Sequence, residues 1–597
     1  MTDKKIKNLC TPNKHWYYFF DFEKCSEQFW VVPLLSRLIF IGLDNENVSD
    51  MYIRITTNTK GTAYYHLVES YRDQGKVKQR TLLSLGRVED GKLEQLAEAI
   101  SKHTDKISVF NMAKDVDVKD TYILGPLLVL ERIMTELGLS GCLSMLQSKH
   151  KKLQFDLKKV IFTQLCSRFV KPVSKLSLYD NWLGRMYPGL VEHETAIQHL
   201  YRSLDLLYEH KEEIERYLFS YGKNLFDIHV DVVLYDLTTL RFESTRTDTG
   251  DLRQFGYSKE MRTDCTQVVL GLLTDTEGIP LCFEVHSGNT FEGKTLDGIV
   301  DRISKKLVIR RFIFVADRGL FSMTNLEHIK KRNGEFIVGL KMGVLKQHIQ
   351  KDFYDLKRFT WLNPDLAICE TTLGEDRCII TWSRIRADRD KKAREDVLAK
   401  ISLTLSSPKP LSKKFITNRA YKKYLLVKGE THCSLNHKAI TEDAKKDGFF
   451  GIITNVKQMA ASEIVSNYKE LWRIEDAFGE MKGTLKSRPM FHWTDQRIIG
   501  HLMLCFLSHF CEAHLTRKIR KTGMMQYSKA SENGIIKERP LTVKSAMDEL
   551  NQVMAVPVRI KKETIWIRTD IPPNAIKLFK AIGMQIPSKI LTQNHRM

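Results

Sequence analysis

Apolar and polar residues alternate from Met51 to Thr57, from Ala63 to Tyr71 and from Val77 to Leu85. Turn residues separate the runs, Asn58-Thr59-Lys60-Gly61 and then Asp73-Gln74-Gly75-Lys76. The pattern predicts a small β meander. From Lys92 to Lys223 the apolar spacing changes to three and four, which predicts helices over Tyr122 to Leu139, Leu157 to Val170 and Ala196 to Tyr221. The middle of the chain mixes both periods. Val230 to Tyr235 predicts a buried strand ending at Asp236, and Gln267 to Thr274 and Ile279 to His286 predict two more, joined by Asp275-Thr276-Glu277-Gly278. Then come a helix over Asp297 to Leu307, a strand over Phe312 to Ala316 ending at Asp317, a helix over Thr324 to Lys331 and a strand over Glu335 to Lys341.

That regularity lapses over Gly343 to Gly448. Ile368 to Thr372, Cys378 to Ile385 and Tyr424 to Lys428 predict strands, Arg389 to Ile401 a charged helix, and lysines are dense from Lys413 to Lys446. The core pattern resumes with Phe449 to Ile453, a helix from Ala460 to about Lys486, and a last helix over Ile498 to Arg520 ahead of a basic tail. Three strands, then helix, strand, helix, strand is the order of a ribonuclease-H-like mixed α/β sheet, an analogy that says nothing about chemistry by itself. The expected division is 51–91 a β subdomain, 92–225 a helical, DNA-binding region, 226–342 with 449–520 a core interrupted by an insertion over 343–448, and 521–597 a C-terminal basic region. Residues 1–50 are aromatic-rich and without clear period. They read equally as an extension ahead of a natural start at Met51 or as an N-terminal subdomain.

Composition narrows the function. Of 597 residues 43% are hydrophobic and 28% charged, which excludes wholesale disorder. Lys and Arg outnumber Asp and Glu by 93 to 72, a net charge of +21 that points to nucleic acid or an anionic membrane as partner. No uncharged apolar run reaches the roughly 18 residues of a spanning helix; Phe29 to Leu43 is interrupted by Arg37. The eleven cysteines form no C-x-x-C, and His432, Cys433 and His437 lack a second ligand pair at zinc spacing, so the cysteines read as reduced core thiols of a cytoplasmic protein.

Three acidic residues stand out. Asp236 and Asp317 each follow a buried apolar strand, a rigid mount suited to a hard divalent cation, although aspartate also ends strands as a turn former. In the helix from Ala460, the residues Tyr468, Glu475 and Lys482 are seven apart and share one stripe, with Trp472 between the first two. Ile464, Leu471, Ile474, Phe478, Met481 and Leu485 form an apolar stripe that packs the helix on the sheet. Glu475 can therefore face the two aspartates.

Tyr468-Lys469-Glu470-Leu471-Trp472-Arg473-Ile474-Glu475, followed by Lys482, resembles the Tyr-Arg-Glu-Lys signature, Y-x-x-R-x-x-x-E-x-x-x-x-x-x-K, of bacterial insertion-sequence transposases. Tyr235-Asp236-Leu237-Thr238-Thr239-Leu240, Val315-Ala316-Asp317-Arg318-Gly319 and Gly256-Tyr257-Ser258-Lys259 are similar to stretches of the same group, over about Met51 to Leu515. The resemblance implies a DDE transposase with a ribonuclease-H-like catalytic domain and a β-rich insertion. It implies Asp236, Asp317 and Glu475 as catalytic metal ligands for two Mg²⁺ ions about 3.5–4 Å apart, with Mn²⁺ able to substitute. It implies double-stranded DNA, both transposon ends and target, as substrate, Tyr468 and Lys482 as phosphate contacts, and Trp472 either stacked on a flipped base or packed as a half-buried side chain. The signature Arg is Leu471 here. Lys259, Arg262 and Arg318 are candidates to replace its DNA contact, or are surface charges. A homodimer on DNA, no membrane and no protein partner, and a nucleoid-associated place in the cytoplasm complete the expectation. The alternatives are a non-transposing nuclease of this fold and a catalytically inactive DNA-binding derivative.

Overall fold

A computed structural model describes residues 50–73, 76–88, 116–118, 120–226, 232–247, 250–257, 262, 264–291, 295–301, 312–342, 353–407, 413–428, 432–527, 538–560 and 563–591. The expectations for residues 1–49, for Lys92 to Asp115 and for Lys259 lie outside the described residues. The chain forms two compact units, one running up to Val118 with Val558–Thr564, the other comprising Lys119–Pro557 and Ile565–Met597.

The first unit contains the meander. Strands β1 (Asp50–Thr57), β2 (Ala63–Asp73) and β3 (Lys76–Arg87) pair antiparallel in that order, within two residues of the alternating runs. Asn58 closes the first turn: its Oδ1 accepts from the amides of Lys60 at 3.0 Å and Thr62 at 2.9 Å, as an Asx turn should.

The second unit begins with five helices: α1 (Gly125–Glu136), α2 (Leu139–Lys149), α3 (Leu157–Val170), α4 (Ile197–Glu209) and α5 (Lys211–Phe226). Next come β4 (Val232–Arg241), β5 (Gln267–Thr274), β6 (Pro280–Ser287), α6 (Leu296–Asp301), β7 (Ile313–Ala316), α7 (Met323–Lys330) and β8 (Glu335–Leu340). β4, β5 and β6 form an antiparallel meander, while β7 lies parallel to β4 and β8 parallel to β7. This is the ribonuclease-H-like arrangement.

The segment after β8 does not stand wholly apart from this sheet. β9 (Thr360–Asn363), β10 (Leu366–Leu373) and β11 (Asp376–Ser383) join it through the later strand β14 (Phe449–Thr454), giving one nine-stranded sheet in the order β9-β10-β11-β14-β8-β7-β4-β5-β6. The stretch between β11 and β14 leaves the sheet: helix α8 (Arg384–Leu405), hairpin β12 (Leu425–Lys428) with β13 (His432–Leu435), and α9 (His437–Ala444), packed on a small core of Ile401, Tyr424 and Leu425. The chain re-enters as β14 (Phe449–Thr454), antiparallel to both β8 and β11. Three helices come next: α10 (Ala461–Lys469), α11 (Trp472–Lys482) and α12 (Asp495–Lys521).

Alternation along the strands sorts the sheet residues onto two faces. Val233, Tyr235, Phe314, Ala316, Val338 and Ile453 pack with α6 and α7 on one. Leu234, Leu240, Val315, Ile337 and Ile452 face the other, and their core continues through Ile464, Ile474, Phe478 and Met481 to α12 and the N-terminal helices. The helical half therefore shares one core with the sheet. Gly500 lets α12 touch α4: a Cβ there would stand 2.1 Å from the carbonyl oxygen of Leu204.

One sequence expectation is corrected and one refined. No uncharged run of 18 residues occurs in helix α12, yet by length and composition it is apolar enough to cross a membrane. Its most apolar window is 89% buried inside the protein, as befits a core helix. The C-terminal residues are not merely a basic tail. α13 (Val543–Leu550) and α14 (Pro573–Ala581) carry Met547, Leu550, Leu578 and Phe579 into the main core.

Candidate active site

The floor of the site is a product of strand register. β4 and β7 are parallel with Tyr235 beside Ala316, so the next step sets Asp236 beside Asp317. Neighbouring strands lie about 4.8 Å apart, and in-register residues of parallel strands point to the same face. That face also carries Leu234, Thr238 and Leu240, and α10 and α11 cover it. Asp236 and Asp317 are the acidic residues among the largely apolar side chains of this face.

Asp317 ends its strand as the sequence indicates, but Asp236 does not. β4 continues to Arg241, with Asp236 to Arg241 paired against Leu272 to Gln267 of β5. The β-branched Thr238 and Thr239 and the apolar Leu237 and Leu240 suit a strand as well as the residues before them do. Asp236 is thus mid-strand, and the opening beside it comes from the shorter β7.

The expected single helix over Ala460 to Lys486 is two. Between Lys469 and Trp472 the backbone tightens: the amides of Leu471, Arg473 and Ile474 donate to the carbonyls of Tyr468, Glu470 and Leu471, three residues back. Each 3₁₀ residue turns the chain about 120° instead of 100°. A few such residues offset Tyr468 from Glu475 by only about 40°, and both still face the sheet aspartates.

Together these elements enclose a cavity of about 400 Å³. Asp236, Asp317, Glu475, Tyr468, Leu471 and Trp472 line it, together with Arg386, Phe450, Thr381 and Ser383. The Tyr468 hydroxyl donates to Asp317 Oδ1 at 3.2 Å. It fits because residue 339 is glycine: a Cβ there would stand 2.6 Å from the Tyr468 hydroxyl oxygen. Burial, then the charge of Asp317 and the hydrogen bond to it, push the phenol well above its ordinary pKa, so it stays protonated and donating. Trp472 opens α11 with 47% of its surface exposed and Arg473 over its ring at 5.0 Å. Arg473 itself pairs with Glu470.

The family model for the transposase DDE domain matches residues 230–511, the whole span that builds this cavity. That for the N-terminal domain of IS1634 family transposases matches residues 53–113. The chain is a DDE transposase of an insertion sequence. No curated protein matches it. Its substrate is accordingly DNA, and DDE domains work with divalent metal ions, generally Mg²⁺.

The transposase has a donor set that fits such an ion. Two aspartates and a glutamate from three separate elements offer only oxygen, the ligand class of Mg²⁺ and Mn²⁺. They do not close to within 4.8 Å of one another; among the described residues the set of three that does is His150, Glu209 and His210. There the His150 and His210 Nε2 atoms lie 2.7 Å apart, a direct hydrogen bond.

The other sequence candidates scatter. Lys482 reaches the floor from the end of α11 and donates to Thr238 Oγ1, two residues beyond Asp236 on the same face. Arg318 is exposed and directly follows Asp317. Arg262 is engaged by Asp264 at 2.7 Å and Glu243 at 3.5 Å and does not line the cavity.

Sequence reading missed Arg386. The segment Cys378 to Ile385 reads as one strand and Arg389 to Ile401 as a helix, which leaves Arg386 between them. In the structure the strand stops at Ser383 and α8 begins at Arg384, so Arg386 sits in its first turn. Arg384 and Arg386 in a first turn with no acidic residue run against the helix macrodipole, which favours anions there. That is the one trace of a special role visible in the sequence.

Proposed function

We propose that this transposase binds the terminal inverted repeats of its insertion sequence and catalyses metal-dependent strand cleavage and strand transfer, with Asp236, Asp317 and Glu475 as the metal-binding carboxylates. The observation that carries the reading is the meeting of these three carboxylates, one mid-strand, one past a strand end and one at a helix start, around one open cavity.

Two divalent ions suit the wider spacing of the carboxylates better than one does; when bound they lower the pKa of an attacking water or DNA 3′-hydroxyl and stabilise the leaving oxygen, and Mn²⁺ substitutes for Mg²⁺. The chain's own residues do the rest. Asp236 and Asp317 hold their positions because hydrogen-bonded strands fix both backbones. Tyr468 donates its one O–H to an Asp317 oxygen, which orients that carboxylate until DNA enters, when the same proton turns to a phosphate beside the scissile bond. Lys482 brings a cation to the floor next to Thr238 and contacts the same backbone. Trp472, half exposed at the rim, offers an indole face on which a base extruded from the transposon end stacks. Arg318 supplies a further rim cation, while Arg262, held by Asp264 and Glu243, has no such part. Pairing of two ends calls for a homodimer on DNA. The nine cysteines among the described residues are all free thiols, which supports action in the cytoplasm, at the nucleoid.

The test is cleavage of a duplex carrying the element's own end, with and without a chelator. Cleavage that needs added Mg²⁺, stops on chelation and joins the released 3′ end to a second duplex supports the reading. Metal-dependent cutting without joining indicates a nuclease of this fold, and binding without cutting an inactive derivative.

A further inference from the structure

We propose that Arg386, from the first turn of α8, makes the DNA phosphate contact that the signature Arg makes elsewhere and that Leu471 cannot make here. This rests on the reading of the cavity as the strand-cleavage site.

Leu471 and Arg386 line the same cavity, Leu471 from the α10–α11 junction and Arg386 from the first turn of α8. Leu471 belongs with the apolar residues packed against the core and has no donor to offer. Arg386 fills that lack from another part of the chain. Its guanidinium lies over the Phe450 ring, 4.4 Å from the centroid, and Phe450 in turn packs on the Tyr468 ring at 5.1 Å. The cation is thus held beside the phenol that contacts Asp317. Stacking leaves the guanidinium edge, with its fork of N–H donors, directed along the plane and able to take a phosphate two-pronged.

Arg386 shares its cavity with three carboxylates, and its ion pair, with Asp390, is long, 4.0 Å. Burial lowers its pKa, Asp390 opposes this, and Arg389 and Arg318 lower it further as like charges. Setting Arg386 in the first turn of a helix whose dipole disfavours cations, with Arg318 as a like charge, is a cost that a bound polyanion repays. DNA phosphate is the anion this transposase meets.

The experiment uses the full chain and a duplex carrying the element's end. Arg386→Met keeps an apolar stem on Phe450 and removes the charge. We expect its cleavage rate to fall about 10²-fold or more, as for loss of one preorganised donor, with the melting temperature held. The slope of log affinity against log salt should shrink by about 0.9, one phosphate contact. Leu471→Arg placed in the Arg386→Met background should restore cleavage at least tenfold. A structural role would not predict rescue from another element of the cavity. Wild-type cleavage by Arg386→Met, or no rescue by Leu471→Arg in a double variant that melts like wild type, overturns the proposal. Failure of the underlying reading looks different: cleavage would then survive Glu475→Gln.

Discussion

Asp236 and Asp317 share a sheet face through a register that no local pattern announces. The apolar run before each was legible, and so was the aspartate that breaks it. Their adjacency was not, because it depends on β4 pairing in parallel with β7 about eighty residues later. Arg386 was less legible still: its helix was expected to start several residues further on, and nothing in Gly343 to Gly448 says which part returns to the cavity. For the carboxylates the expected outcome is sharp. Asp236→Asn, Asp317→Asn and Glu475→Gln each remove a charged oxygen ligand while leaving phosphate contacts in place. Strand cleavage should drop below detection and end binding persist in a gel shift; parallel loss of both activities, with a lowered melting temperature, would indicate misfolding. Trp472 invites a second test. With 47% of its surface exposed, Trp472→Ala should leave the melting temperature nearly unchanged, well short of the 3–5 kcal/mol of a buried Trp. First-strand cleavage should slow roughly ten- to a hundredfold, the worth of one stacked base. A large fall in melting temperature with normal cleavage at low temperature would assign Trp472 to packing.

At the scale of elements, the seven-residue stripe survived the break in its helix because the 3₁₀ junction is short. Spacing alone fixed which residues share a side; it did not reveal the junction, since Glu470 and Leu471 are unremarkable helix formers. The junction brings Tyr468 down over β8 and leaves Glu475 in the opening turn of α11. Gly339 is the counterpart of that descent. Gly339→Ala would place a methyl 2.6 Å from the Tyr468 hydroxyl oxygen and 2.9 Å from the Arg318 amide nitrogen. The tyrosine can swing away; the backbone cannot. Stability should fall by about 1–3 kcal/mol, an overpacking cost, and cleavage should fall with it as the contact to Asp317 is lost. Tyr468→Phe separates the two, removing the contact without the clash. A Gly339→Ala enzyme that melts and cleaves like wild type would show that Tyr468 does not need this approach.

For the whole molecule, the net charge of +21 and the single core spanning helices and sheet bear on one question, where DNA lies. The helical residues from Lys92 on read as a separate DNA-binding region, yet α3 is buried along most of its length and α1, α3 and α4 surround α12. Arg168, inside α3, donates to the carbonyls of Leu485 and Lys486 just beyond the α11 helix, both at 3.2 Å. Periodicity detects an apolar stripe but not its partner, so a packing region and a docking region look alike in sequence. Any DNA contact from these helices must come from their outer, basic faces, along with the lysines of 413–446. We expect end binding to depend steeply on salt, with a slope near −0.9 for each phosphate neutralised. A footprint of six to ten phosphates would cost about 10³–10⁵ in affinity between 50 and 200 mM salt. Charge-reversing pairs of exposed lysines such as Lys151 with Lys152, and Lys445 with Lys446, should each flatten the slope by up to about two phosphates while sparing the melting temperature. Titrating binding by fluorescence anisotropy at five salt concentrations decides it. A flat titration for the unmodified chain would mean that its excess charge serves a partner other than DNA. An unchanged slope in both variants would move the duplex path onto the cavity alone, where Arg386 and Lys469 stand.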